Sequence, residues 1–165
     1  MIAVGYVGSS FADEAPWQSG GGVDVDVELP IPVYLRIGIA LVQPTTVSPP
    51  RLEVWRIPLA VEAGYRFRRD RRVRPELGAA LAVDPMLWRG DDPATRPGST
   101  ARVGLGPAAG LNVQVWGGFG VHVWARADVW LRNVTLVVED ESGRARRLRP
   151  HAVAALVRAG IHFVF

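Results

Sequence analysis

A chain of 165 residues, 48% hydrophobic and 21% charged, is long enough for one cored domain or one small barrel and too apolar to stay disordered. It has no cysteine, which excludes disulfides and thiolate metal sites, and its 19 basic residues are all Arg, interleaved with 16 acids to a net charge of only +3. That leaves no clustered basic face of the kind a nucleic-acid module needs, so no nucleic-acid partner is expected. No apolar run reaches the ~18 residues of a membrane helix, since Arg36 interrupts "VYLRIGIALV".

The pattern along the chain has a period of two, the signature of strands. The opening "MIAVGYVGSS" alternates weakly and is the least defined of them; with no charged n-region or cleavage site, it is not a signal peptide. A polar, turn-rich stretch at 12–22 is expected to be a long loop. In "VDVDVE", Val23, Val25 and Val27 then oppose Asp24, Asp26 and Glu28. After a tight connection at 29–32, "VYLRIGIAL" sets Val33, Leu35, Ile37, Ile39 and Leu41 against Tyr34, Arg36, Gly38 and Ala40.

A second long loop is expected at 44–51. "WRIPLAVEAGYRF" then sets Trp55, Ile57, Leu59, Val61, Ala63, Tyr65 and Phe67 against Arg56, Pro58, Ala60, Glu62, Gly64 and Arg66. The connection 68–72 is tight. Beyond it Leu77, Ala79, Leu81 and Val83 oppose Arg74, Glu76, Gly78, Ala80 and Asp84. A third long loop, 87–100, leads to "RVGLGPAAGLNVQV", with Val103, Leu105, Leu111, Val113 and Val115 opposite Gly104, Gly106, Gly110, Asn112 and Gln114. A tight turn at 116–120 leads to "VHVWARADVWLR", the last long loop covers 139–150, and "AALVRAGIHFVF" ends the chain. Arg126, Asp128, Arg132, Arg158 and His162 share the polar side of these last two runs. The sum is an all-β fold in one domain, 1–165: a closed, antiparallel, up-and-down barrel of about eight strands.

The orientation of the two faces follows from charge. The apolar face has no charge in the body of any strand, which a lipid-facing surface demands, because an Arg there costs about 2–4 kcal/mol. The opposite face mixes Gly and Ala with charges of both signs, as suits a narrow lumen only wide enough for side chains. There Asp24, Asp26, Glu28, Glu62, Glu76 and Asp128 are expected to neutralise Arg36, Arg56, Arg66, Arg74, Arg126, Arg132 and Arg158, because paired buried charges are tolerable and lone ones are not. Aromatic residues near strand ends suit two interfacial girdles: Trp55 and Trp88 toward the long loops, and Tyr65, Phe67, Trp116, Phe119, Phe163 and Phe165 toward the short turns. Trp124 and Trp130 share parity with the inward charges, which suggests a bulge shifting that strand. Pro58, Pro75, Pro85 and Pro107 each remove a ladder donor and are expected at bulges or near the rims.

Chemical motifs are sparse. "GLGPAAG" (104–110) mimics a dinucleotide fingerprint, but the alternation runs straight through it and Pro107 lies inside, so its glycines read as space-makers in the lumen. His122, His151 and His162 have no metal-ligand spacing, and no cofactor is expected. Glu62 and Glu76 could pass for a catalytic pair, but with an Arg nearby they read as part of a salt-bridge network. The basic stretch "GRARRLR" supplies Arg144, Arg146 and Arg147, which could meet lipopolysaccharide phosphates through guanidinium forks.

The last eight residues, "RAGIHFVF", resemble the C-terminal β-signal of bacterial outer-membrane proteins: a polar residue at Arg158, then Gly160, an apolar Phe163 and a terminal aromatic Phe165. The whole pattern resembles the small OmpA/OmpX-like barrels. The resemblance implies a bacterial outer-membrane protein, monomeric, with both termini in the periplasm, a leader missing from this chain, and a last strand read by the barrel assembly machinery. It implies a structural or surface-interacting role (envelope integrity, adhesion or contact with outer-membrane lipids and lipopolysaccharide) with no open pore and no enzymatic activity. Two alternatives stand beside it. One is a lipid-modifying hydrolase resembling the lipid A deacylases, with His151 near Ser99 or Ser142. The other is a soluble lipocalin-like barrel with its apolar face inward.

Overall fold

In the computed structural model, residues 1–47, 52–67, 71–90, 97–132, 134–139 and 145–165 are described. Alternation becomes strand wherever it occurs: β1 (Ile2–Ala12), β2 (Ala15–Glu28), β3 (Val33–Val47), β4 (Leu52–Arg56), β5 (Leu59–Arg66), β6 (Val73–Gly90), β7 (Gly98–Trp116), β8 (Phe119–Trp130), β9 (Leu136–Glu139), β10 (Ala145–Leu148) and β11 (Val153–Phe163). Every pairing is antiparallel, with β9 and β10 pairing only with each other and the remaining strands forming one sheet. β1 then pairs with β11 from Ile2 opposite Phe163 to Ser9 opposite Leu156, which closes the ring. Closure leaves no sheet edge, the condition for β-structure in hydrocarbon.

β4 and β5 are one wall strand in two pieces. Arg56 stands opposite Val42 and Met86, and Leu59 opposite Ile39 and Val83, in a single register on both sides. The interruption falls at Pro58, which has no N–H to give, although its carbonyl still accepts from the Ala40 N–H at 2.9 Å. Counted this way the wall has eight strands. Pro75 and Pro85 sit inside β6, where their carbonyls accept from Phe67 and Ile57 at 2.8 and 3.2 Å. The β7–β8 register is the same on both sides of Gly106 and Pro107, so that proline interrupts the ladder without shifting it.

Several boundaries differ from the sequence reading. The stretch 12–22 is not a long loop: β1 and β2 are joined by Asp13 and Glu14 alone, and "SGGG" lies within β2. A Cβ at Gly20 would fall 1.9 Å from the Leu41 carbonyl oxygen, so these glycines permit close strand approach rather than a turn. The other three long loops also shorten. β3 runs on to Val47, β6 to Gly90, and 139–150 carries β10 and the end of β9. The tight turn at 116–120 is built on Gly117, whose φ of 52° lies in the left-handed region that suits glycine. Of the connection at 68–72, residues 68–70 lie outside the described residues.

The odd-numbered apolar residues of β3, β5 and β6 face outward: Ile37 is 63% exposed, Val61 51% and Leu81 49%, whereas β1 has the opposite parity, with Val7 and Phe11 buried and Val4 and Tyr6 exposed. Trp17, Trp55, Tyr65, Phe67, Trp116, Phe163 and Phe165 share that surface. Trp88 is instead half-buried against an inner apolar cluster, a correction to its place in the girdle. Trp124 and Trp130 point inward and are buried, and no bulge is involved, since β8 keeps one register with β11 from Phe119 to Val129. Substituting Leu81→Arg, at the middle of the outer wall, is expected to destabilise the barrel by about 2–4 kcal/mol in urea unfolding from phospholipid vesicles, and unchanged stability would mean that Leu81 faces water rather than lipid.

Candidate functional site

The lumen is where the sequence concentrates its chemistry. Strand pleating sends the even-numbered residues of β2 to β8 and β11 inward. Among the described residues, six arginines (Arg36, Arg56, Arg66, Arg102, Arg126 and Arg158) and six acids (Asp24, Asp26, Glu62, Glu76, Asp84 and Asp128) are buried, so the fully buried charges cancel.

They fall into connected groups. Toward the end that carries the short turns and the chain termini, Arg36 lies 2.8 Å from Asp26, 2.6 Å from Glu76 and 3.6 Å from Glu62. Arg66 bonds Asp26 at 2.7 Å and also pairs with Glu76 and Glu28. Arg74, half-exposed at the rim, reaches Glu28 at 3.7 Å and donates to Gln114 at 3.0 Å. Asn112 donates to Glu76, and both the Tyr34 hydroxyl and the Trp124 indole donate to Glu62. Arg158 pairs with Asp24. Arg126 and Asp128 approach to 2.6 Å as an ion pair without hydrogen-bond geometry.

Nearer the loop end, one carboxylate serves two guanidiniums. Asp84 accepts from Arg56 at 2.7 and 3.0 Å and from Arg102 at 3.0 Å. Arg56 also donates to Gln18 at 2.7 Å and lies over the Phe11 ring, and Arg102 stacks on Trp130 with its guanidinium carbon 4.1 Å from the ring centroid. Above this layer the lumen turns apolar. Phe11, Ala12, Ala15, Leu52, Val54 and Met86 pack with Leu136 and Leu148, the buried ends of the β9–β10 hairpin.

Small residues make room for these side chains. The Tyr34 hydroxyl lies where a Cβ on Gly64 or Gly78 would be, 2.6 and 2.8 Å away, and Trp130 and Trp124 lie against Gly104 and Gly110 in the same way. What space remains is slight. An interior cavity bordered by Asp24, Arg36, Glu76, Asn112, His122 and Trp124 has a volume of about 10 Å³, room for about one water.

Of the network expected from sequence, Arg132 is a correction: it is exposed, two residues past the end of β8. Alternation beyond Trp130 has no strand to impose it. Sequence reasoning missed Arg102, Gln18 and His122 as buried lumen groups, and it placed Asn112 and Asp84 on the inward face without partners. Arg102 opens the strand run "RVGLGPAAGLNVQV", and its even number carried the signal.

The remaining candidates lie elsewhere. Gly160 sits opposite Gly5 and His122, Phe163 packs against Phe119 with ring centroids 5.4 Å apart, and Phe165 is 95% exposed. Arg144 lies outside the described residues, while Arg146 and Arg147 sit on β10 opposite Val138 and Val137. His151 is held 3.1 Å from Asp13 at the loop rim. Among the described residues no serine hydroxyl bonds a histidine and no group of three or more His, Asp or Glu is arranged to hold a metal.

No family model and no curated protein matches this chain. Its fold matches solved structures. The outer membrane protein OprG from Pseudomonas aeruginosa superposes with a TM-score of 0.76 at 10% identity, over 99% of this chain and 94% of that one. Neisserial surface protein A superposes with a TM-score of 0.60 at 15% identity, over 99% and 97%. Ail, the attachment invasion locus protein of Yersinia pestis, was solved in complex with the heparin analogue sucrose octasulfate and superposes with a TM-score of 0.61 at 14% identity, over 98% and 96%. The fold is that of the small bacterial outer-membrane β-barrel proteins.

Replacing Asp84 by Ala leaves two buried guanidiniums without their shared carboxylate and is expected to cost about 3–5 kcal/mol in vesicle unfolding. Replacing Arg56 and Arg102 by Met together with Asp84→Leu should recover much of that loss. Equal stability of Asp84→Ala and the parent would mean the cluster does not hold the lumen.

Proposed function

We propose that this protein is a non-conducting barrel of the bacterial outer membrane that works at the cell surface, its β9–β10 hairpin meeting the anionic saccharide headgroups of lipopolysaccharide. The observation that carries this reading is the filled lumen. Among the described residues the bore is packed by neutralised charge with Leu136 and Leu148 above it, which supports placing the chemistry available to a partner on the outside. Leu136 and Leu148 pair with each other in the hairpin and pack on the inner apolar cluster, and Arg144, Arg146 and Arg147 fall between them in the sequence. Guanidinium forks match phosphate and sulfate oxygens in pairs, and the polysulfated ligand of Ail, a barrel of the same fold, supports an anionic surface partner. The role is structural or adhesive, without catalysis, and the last strand with Gly160, Phe163 and Phe165 serves assembly.

Two measurements test this. In planar bilayers the purified barrel is expected to give no discrete conductance steps. The triple variant Arg144→Gln/Arg146→Gln/Arg147→Gln is expected to keep its heat-modifiable gel shift and to bind lipopolysaccharide at least about tenfold more weakly, with a shallower salt dependence, given ~1.5–3 kcal/mol for a charged hydrogen bond. Unchanged binding would remove the hairpin from the mechanism. Release of acyl chains from lipid A by the purified protein would favour the hydrolase alternative instead.

A further inference from the structure

Among the described residues the middle of the outer wall is apolar, and one seam near its loop end departs from this. β2 and β3 pair from Glu28 opposite Tyr34 up to Gly20 opposite Val42, and there the ladder ends among the described residues, although both strands run on by five residues. The cause lies on the other side of β3. Between Val42 and Thr45 the register with β4 shifts, so that Gln43 and Pro44 together oppose the single residue Trp55. Such a bulge bends its strand, and here it turns β3 away from β2. From the lumen side the seam is bridged by Gln18, which donates to the Thr45 hydroxyl at 2.8 Å.

On the lipid side the same seam is an open slot of about 490 Å³. Glycines form its floor, Leu41 and Pro44 part of its wall, and its polar groups are uncharged. The Tyr6 and Ser19 hydroxyls are 3.0 Å apart, and the Trp17 indole donates to Tyr6 at 3.1 Å. Whichever hydroxyl donates to the other, one O–H hydrogen is left over. Gln43 is exposed at this wall, and its amide makes no hydrogen bond with the described residues. Trp17 and Trp55 put the slot at the loop-side aromatic level, where lipid headgroups meet acyl chains. Polar groups at that depth need partners.

We propose that this slot binds the 3-hydroxyacyl amide segment of lipid A in the outer leaflet, held by the Gln43 amide and the Tyr6–Ser19 hydroxyl pair between Trp17 and Trp55. The inference rests on the reading that the chain faces lipopolysaccharide. Its chemistry is one of matched donors and acceptors. The slot offers N–H and O–H donors together with the Gln43 carbonyl as acceptor. A hydroxyacyl amide presents a carbonyl, an N–H and an O–H in return. The ester region of a glycerophospholipid presents acceptors only and would leave the Gln43 carbonyl unmet. Because no charged side chain borders the slot, the selection is for the acyl linkage rather than the phosphate.

The test is competition by native mass spectrometry of the detergent-purified barrel, at high salt, between hydroxyacyl lipid A and phosphatidylethanolamine. The parent is expected to retain lipid A with at least about tenfold preference, the worth of one or two satisfied polar groups. Gln43→Leu/Tyr6→Phe should bring the preference near parity while keeping the heat-modifiable shift. As a second measurement, lipid A with brominated chains should quench the protein's tryptophan fluorescence more strongly than brominated phosphatidylethanolamine. No preference in the parent, or a preference unchanged in the double variant, overturns the proposal. High salt separates the two ideas: loss of binding in the arginine-hairpin variant with slot selectivity intact supports both, and absence of selectivity in the parent with hairpin-dependent binding intact refutes only this one.

Discussion

Hydrocarbon offers no hydrogen bonds, and that absence governs this molecule. Every backbone N–H and C=O in the wall must be met by another strand, so the sheet has to close, and it does so where β1 meets β11. Once closed, a sheet whose side chains alternate has no choice about where its charges go. The face that repeats Val, Leu and Ile turns to lipid, and the arginines and carboxylates share a bore too narrow to hydrate them. Neutralisation inside therefore follows from closure outside.

The bore meets this demand by sharing partners rather than by isolated pairs. Asp26, Glu76 and Asp84 each accept from two guanidiniums, and Tyr34, Trp124, Asn112 and Gln18 supply uncharged bonds to the same groups. Arginine suits such sites because its planar fork offers five donors at fixed angles. Aromatic rings seated on glycines of neighbouring strands fill what the charges leave. Among the described residues little interior space is left, and that moves the search for function to the surface: the rim hairpin and the outer wall.

Where the outer wall departs from uniform grease, the departure has a local cause. One bulge at Gln43 and Pro44 ends the β2–β3 ladder early and leaves uncharged polar groups facing the bilayer at the aromatic level. The same residues would be unremarked in a soluble sheet, where water meets any spare amide.

Much of this was legible in the chain itself. Period-two alternation, the absence of mid-strand charge on one parity and the aromatic ends determined an all-β barrel, its orientation and most of the lumen residues, because pleating ties parity to face without reference to any distant contact. The glycine run 20–22 misled, since glycine marks both turns and close strand approach, and only the neighbouring carbonyl of Leu41 distinguishes them. Trp124 and Trp130 looked misplaced because nothing local says that a lumen holds indoles as readily as arginines when glycines face them. Arg132 and Arg102 lay at the ends of runs, where parity holds only as far as the strand does, and strand length is set by partners. Which guanidinium meets which carboxylate, and where β3 bends away from β2, were decided by register between strands far apart in sequence, and no pattern within one strand encodes that register.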